Sequence, residues 1–168
     1  MTIFLRLSLI FAVGCIVTAC GRYAVLVNSK ILYEPPALFS GFSVGDDALR
    51  ECIKASIVNQ NLTSAEQLKR LFCPAGEIRS LSGLEVFSRL EYLGLSDNNI
   101  QNVAPLRHLA MLAQVDLSNN DIVDFSPLHS LAYLLFINVR GNSHAACDGL
   151  AVFSVDAITK IQIPVHCE

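Results

Sequence analysis

Basic residues are scarce in this chain, and long apolar runs are confined to its start. Twelve Lys and Arg stand against fifteen Asp and Glu, for a formal net charge of −3 over 168 residues. That balance argues against nucleic-acid binding, which needs clustered positive charge. Beyond the N-terminal stretch, no segment is long and apolar enough to cross a ~30 Å hydrocarbon core. The cysteines and histidines follow no familiar zinc-knuckle spacing. No cofactor is implied.

What the chain has instead is a step of 22 residues. Leu68, Leu90, Leu112 and Leu134 are spaced by it, and the apolar positions between them repeat in register. One coil carries Leu90, Leu93, Leu95, Asn98, Ile100, Val103, Leu106 and Leu109. The next carries Leu112, Val115, Leu117, Asn120, Ile122, Phe125, Leu128 and Leu131. Before them stand Leu68, Leu71, Cys73, Gly76, Ile78, Leu81, Leu84 and Phe87. After them the pattern opens with Leu134, Ile137, Val139 and Asn142, then drifts. A fixed period of this length predicts a stacked solenoid, with its chemistry on a repeated surface rather than in one pocket.

Within each coil the L-x-x-L-x-L core alternates apolar and polar residues, which is strand periodicity. After each Asn the apolar spacing becomes three, which suits a 3₁₀-like return arc. Pro105 and Pro127 fall in that arc, where a missing backbone donor is tolerated. Asn98, Asn120 and Asn142 fall where the chain turns inward, and an amide there satisfies backbone groups that a hydrophobe would leave unpaired. Burying about seven apolar side chains gives roughly 10–20 kcal/mol gross. Ordering the coil's backbone costs on the order of 22–44 kcal/mol. A lone coil therefore stays unfolded, so neighbours and capped ends are required.

The pattern L-x-x-L-x-L-x-x-N-x-I with a Pro in the return arc resembles the bacterial, internalin-like leucine-rich repeat family over about residues 68–142. The resemblance implies an α/β solenoid with a parallel β-sheet on its concave face, irregular or 3₁₀ convex arcs and a small helical N-terminal cap. It also implies a protein partner held on that face. Position 144 is His where the repeat has an aliphatic residue, and a further strand is expected around Ile158, Ile161 and Ile163.

Residues 1–19 read as an address. Arg6 precedes an apolar run from Leu7 to Val17, and the stretch ends Val17-Thr18-Ala19-Cys20-Gly21, the pattern of a secretory signal. The small residues before the cysteine resemble the bacterial lipobox, which implies diacylation of Cys20 and cleavage before it. An uncleaved membrane anchor is the alternative. Acyl chains on Cys20 would hold the protein on a bilayer. Gly21 rather than Asp after the cysteine points, by the enterobacterial lipoprotein sorting rule, to the outer membrane of a bacterial envelope. Arg6 is the only charge within 1–19, so the mature chain carries a net charge of about −4. The expected organisation is a signal peptide at 1–19, a tether at 20–44 and a helical cap at 45–67. Repeats follow at 68–142, and a C-terminal cap with a degenerate repeat fills 143–168.

Six cysteines divide between three fates. Cys15 leaves with the signal and Cys20 takes lipid. An even four remain, and in an exported chain this favours disulfides. Cys52 and Cys73 precede the first full repeat, whereas Cys147 and Cys167 follow the last, so pairing within each end is expected. Leu49, Cys52, Ile53 and Ile57 have the one-face spacing of a cap helix. Thr63-Ser64-Ala65-Glu66 reads as a capping box opening a short helix that carries Leu68 and Leu71. Asn61-Leu62-Thr63 matches a glycosylation sequon but reads here as a helix start. Cys147, Cys167, His144 and His166 also allow a zinc site or a Cys/His nucleophile. The penultimate position of Cys167 is a poor place for the latter.

Stacked strands put outward residues in rows. Arg70, Tyr92, Gln114, Phe136 and Lys160 form one; Phe72, Gly94, Asp116, Asn138 and Gln162 a second; Ser96, Ser118 and Arg140 a third. Aromatics and arginine among small polar groups are anchors of protein recognition. Tyr92, Gln114, Asp116, Phe136, Asn138, Arg140 and Lys160 are the candidate partner-binding residues. The apolar run Tyr133–Ile137 points to a further exposed patch. A lipid-anchored binding module is the leading expectation, a structural or regulatory envelope lipoprotein the alternative, and an enzyme using His144 or His166 a third.

Overall fold

The structure is a computed structural model and describes residues 24–27, 30–155 and 159–168. It divides into two units, Met1–Pro36 and Ala37–Glu168. In the first, strands β1 (Val25–Val27) and β2 (Lys30–Tyr33) pair antiparallel, with Val27 opposite Lys30. This hairpin lies in the segment expected to act as a tether.

The second unit opens with an extended segment whose Val44 is buried and whose Leu38, Phe39 and Phe42 pack on the core. Helix α1 follows at Asp47–Gln60. Asp46 starts it, its Oδ1 accepting from the Leu49 N–H at 3.0 Å, which satisfies a donor the first turn leaves free. Leu49, Ile53 and Ile57 are buried along one stripe. The helix stops at Asn61, which takes the left-handed conformation with φ of 53°, a geometry Asn tolerates. The sequon residue thus ends a helix rather than starting one. The capping box also shifts by one residue: Gln67, not Glu66, reaches back to the Thr63 and Ser64 N–H groups. The helix it opens is a single 3₁₀ turn, Ala65–Gln67, and Leu71 lies in the strand beyond it.

Five strands then form one all-parallel sheet in sequence order: β3 (Arg70–Phe72), β4 (Tyr92–Gly94), β5 (Gln114–Asp116), β6 (Phe136–Asn138) and β7 (Lys160–Gln162). The pairing Leu71–Leu93–Val115–Ile137–Ile161 runs through their centres. The return arcs are 3₁₀ turns at Leu84–Val86, Ala104–His108 and Ser126–Ser130, with Pro105 and Pro127 in the first turn of the latter two. The repeating apolar side chains fill the space between sheet and arcs, Leu93, Leu95, Ile100, Val103, Leu106 and Leu109 being fully buried. A leucine-rich repeat solenoid with a small cap helix is thus the architecture.

Asparagine holds successive coils together. Asn98 accepts from the Gly76 and Ile78 N–H groups with Oδ1 and donates to the Cys73, Leu95 and Ser96 carbonyls with Nδ2, all within 3.1 Å. Asn120 and Asn142 repeat the three donations one and two coils on, each accepting from a single N–H, that of Ile100 or Ile122. Both buried backbone groups and a buried amide are satisfied in one stroke.

The fourth coil departs from the period. His144 is exposed and Ala145 is buried beside it. The return arc is helix α2 (Asp148–Val155) rather than a 3₁₀ turn. Leu150 and Phe153 supply its buried contacts. Phe136 pairs with Lys160, so this coil is two residues longer than the 22-residue step that links Tyr92 to Gln114. A helix rises less per residue than an extended arc and absorbs the surplus.

Candidate binding face

The sheet register settles which side chains share a row. Arg70, Tyr92, Gln114, Phe136 and Lys160 are consecutive partners, as are Phe72, Gly94, Asp116, Asn138 and Gln162. In the first row Arg70, Gln114 and Lys160 are exposed, and Tyr92 and Phe136 are half-buried. The Arg70 guanidinium lies over the Tyr92 ring, 5.1 Å from its centroid, an arrangement that fixes both side chains.

The second row is less open than the pattern implies. Gly94 is buried, because the Phe72 ring crosses it: a Cβ there would sit 2.5 Å from Phe72 Cδ2. Phe72 itself is 58% exposed. Asp116 Oδ1 accepts from the Ser118 N–H at 3.0 Å and its hydroxyl at 2.6 Å. Asn138 Oδ1 accepts from the Arg140 N–H at 3.3 Å. These two side chains order the turn that follows their strands. In the third row Ser118 is buried and Arg140 is exposed.

Two side chains outside the strand rows also contribute. Ser56 and Gln60 of α1 join Arg70, Phe72 and Tyr92 around a hollow of about 370 Å³ at the β3 end of the sheet. Gln60 Nε2 donates to the Arg70 carbonyl at 3.3 Å, covering part of that edge. The signal was present: Cys52, Ser56 and Gln60 form an i, i+4 row beside the buried stripe. The bond from Cys52 to Cys73 turns that row toward the sheet.

Both expected disulfides are formed, Cys52–Cys73 with Cα atoms 5.9 Å apart and Cys147–Cys167 with Cα atoms 5.3 Å apart. One staples α1 to the coil that opens the sheet; the other ties the start of α2 to the last turn, Val165–Cys167. Cys147, His166 and Cys167 have donor atoms within 4.8 Å of one another, but the two sulfurs are bonded to each other. His144 stands apart from this group, its Nδ1 3.3 Å from Ser143 Oγ. His166 Nε2 lies 3.0 Å from the Ala145 carbonyl.

Elsewhere, Tyr133 and Leu135 are 60% and 49% exposed. On the convex side a hollow of about 620 Å³ with a mixed lining separates two arcs, its walls including Gln101, Arg107, Val123, Asp124 and Pro127. Asp124 is held below the usual carboxylate range by hydrogen bonds from the Ser126 N–H and hydroxyl. No helix among the described residues is long and apolar enough to cross a membrane. Cys20 lies outside the described residues.

No protein-family model matches the chain, and no curated protein does. Among solved structures it is similar to an internalin from Listeria monocytogenes, with a TM-score of 0.61 and 24% identity, over 71% of this chain and 36% of that one. Internalin C2 from the same species aligns over 52% of this chain and 36% of its own, with 26% identity and a TM-score of 0.41. The chain thus spans about a third of the length of either internalin. The likeness to the first is one of fold: this chain is built as a leucine-rich repeat solenoid of the internalin kind.

Proposed function

We propose that this protein is a lipid-anchored binding module of the bacterial cell envelope, docking a protein partner on the concave face of its sheet. The observation that carries the reading is the row Arg70–Tyr92–Gln114–Phe136–Lys160, which crosses all five strands and presents two aromatics between exposed polar ends. Aromatic anchors framed by polar groups are the composition of protein-recognition surfaces. The sheet is rigid, since each strand is hydrogen-bonded to its neighbours and the asparagine amides lock the coils, so little order is lost on binding. Cys20 supplies the anchor in this proposal, through acyl chains added after export, with the outer membrane as its site.

Crosslinking in intact cells followed by mass spectrometry tests it. The native chain is expected to yield a defined partner that the double variant Tyr92→Ala/Phe136→Ala loses. An unchanged crosslink pattern would sink the concave-face reading. It would favour instead a structural or regulatory lipoprotein, whose role rests on tethering alone.

A further inference from the structure

The charge on the concave face runs opposite to that of the molecule. The chain is acidic overall, with a formal net charge of −3, yet its sheet rows present the cations Arg70, Lys160 and Arg140 against a single carboxylate, Asp116. That carboxylate is engaged by Ser118. The acids at the rim are also engaged: Glu91 pairs with Lys69 at 3.0 Å, and Asp97 accepts from the Asn119 amide at 2.9 Å. Among the described residues, no carboxylate lies within ion-pair range of Arg70, Lys160 or Arg140. Three exposed cations without an ion-pair partner flank two aromatics, while Glu91 is paired with Lys69 and Asp116 and Asp97 are held by hydrogen bonds within the chain.

Resting on the concave-face reading, we propose that the partner presents an extended acidic segment that crosses the strands. Arg70 takes one of its carboxylates and Lys160 another, and Tyr92 and Phe136 pack against the residues between. The spacing follows from the register. Arg70 and Lys160 stand on β3 and β7 in one row, and strands ~4.8 Å apart put them about 19 Å from each other. An extended chain rises ~3.3 Å per residue, so the two carboxylates sit about six residues apart. Arg70 is already held over Tyr92, which lowers the cost of ordering its long side chain.

The test uses the full chain in detergent and fluorescein-labelled peptides of about twelve residues, long enough to cross the sheet. Fluorescence anisotropy compares acidic–aromatic peptides with carboxylates six or three apart, the same peptides with Lys in place of the acids, and a single-stranded oligonucleotide. The six-spaced acidic peptide is expected to bind best and to weaken as salt rises from about 0.05 to 0.5 M. Arg70→Glu and Lys160→Glu should each weaken it about tenfold, with circular dichroism unchanged because both side chains are exposed. Equal binding by the Lys peptides or the oligonucleotide, or insensitivity to both substitutions, would overturn the inference. Should no acidic peptide bind while Tyr92→Ala/Phe136→Ala still removes the cellular crosslink, the acidic segment is refuted and concave docking stands.

Discussion

The side-chain amides of Asn98 and Asn120 donate to one carbonyl, that of Leu95, at 3.1 and 2.9 Å. Leu117 is shared in the same way by Asn120 and Asn142, at 3.1 and 3.0 Å. Each asparagine therefore serves its own coil and the one before it, and the coils are coupled through buried polar groups as well as through leucines.

Replacing the middle asparagine should be costly. In Asn120→Ala the Ile100 N–H and the Leu95, Leu117 and Ser118 carbonyls lose a partner. Only the Ile100 N–H is left with no partner, because Asn98, Asn142 and the Asp97 N–H still serve the three carbonyls. At ~1–3 kcal/mol for that donor and ~0.5–1.5 kcal/mol for each other bond lost, a cost of about 3–5 kcal/mol is expected. Urea unfolding checks it, with exposed Gln114→Ala as the control, expected to change stability by less than ~0.5 kcal/mol.

Asp46 joins segments far apart in the chain. Its Oδ1 caps α1, while its Oδ2 accepts from the Arg79 and Ser80 N–H groups at 2.9 and 3.1 Å. Burial pushes its carboxyl up, but the hydrogen bonds from Leu49, Arg79, Ser80 and Ala48 together outweigh that and hold it below the usual range. Asp46→Ala should cost about 2 kcal/mol, the upper end for a cap, because the Leu49, Arg79 and Ser80 N–H groups all donate to it. A depressed folded-state pKa stabilises fully above the unfolded value of ~3.9 and is lost as pH falls through the folded value. The advantage of the native chain over Asp46→Asn should thus be present at neutral pH and shrink in acid. Thermal melts across pH that keep it constant would contradict this.

The two disulfides close loops of similar size, with sequence separations of 21 and 20 residues. Each should contribute about 3 kcal/mol in the chain-entropy model. Because they sit at opposite ends of the stack, the losses in Cys52→Ala/Cys73→Ala and Cys147→Ala/Cys167→Ala should add in the quadruple variant, within ~0.5 kcal/mol. Thiol labelling of the non-reduced protein under denaturing conditions should find none of the four reactive before reduction.

Lipid attachment has its own test. Cys20→Ala is expected to move the protein out of the membrane fraction, or to leave it uncleaved, and to abolish labelling by an alkyne fatty acid. Retention of the label would place the acyl chain on another residue.

The repeat made most of the sheet readable in advance. A strict step of 22 residues and strand alternation were enough to put Arg70, Tyr92, Gln114 and Phe136 in one row, because parallel strands one coil apart pair in register. Lys160 stands 24 residues beyond Phe136, and its place rested on the apolar spacing of Ile161 and Ile163. The helix with Leu49, Ile53 and Ile57 inward was legible for the same reason: periodicity reports burial directly. The capping box slipped by one residue because Gln67 and Glu66 are both competent to reach back, and only the turn geometry chooses between them.

Other features depend on contacts that no period encodes. Phe72 lies over Gly94 because a glycine there leaves room for the ring. Gln60 meets Arg70 because the Cys52–Cys73 bond sets the helix against the sheet edge. His166 joins Cys147 and Cys167, and His144 does not, because α2 replaces the fourth arc and redirects the last turn. Local pattern alone thus determined the coil, its core and the order of side chains along the face. The tertiary structure decided which of those side chains are covered, engaged or left with unpaired charge, since that depends on neighbours distant in sequence.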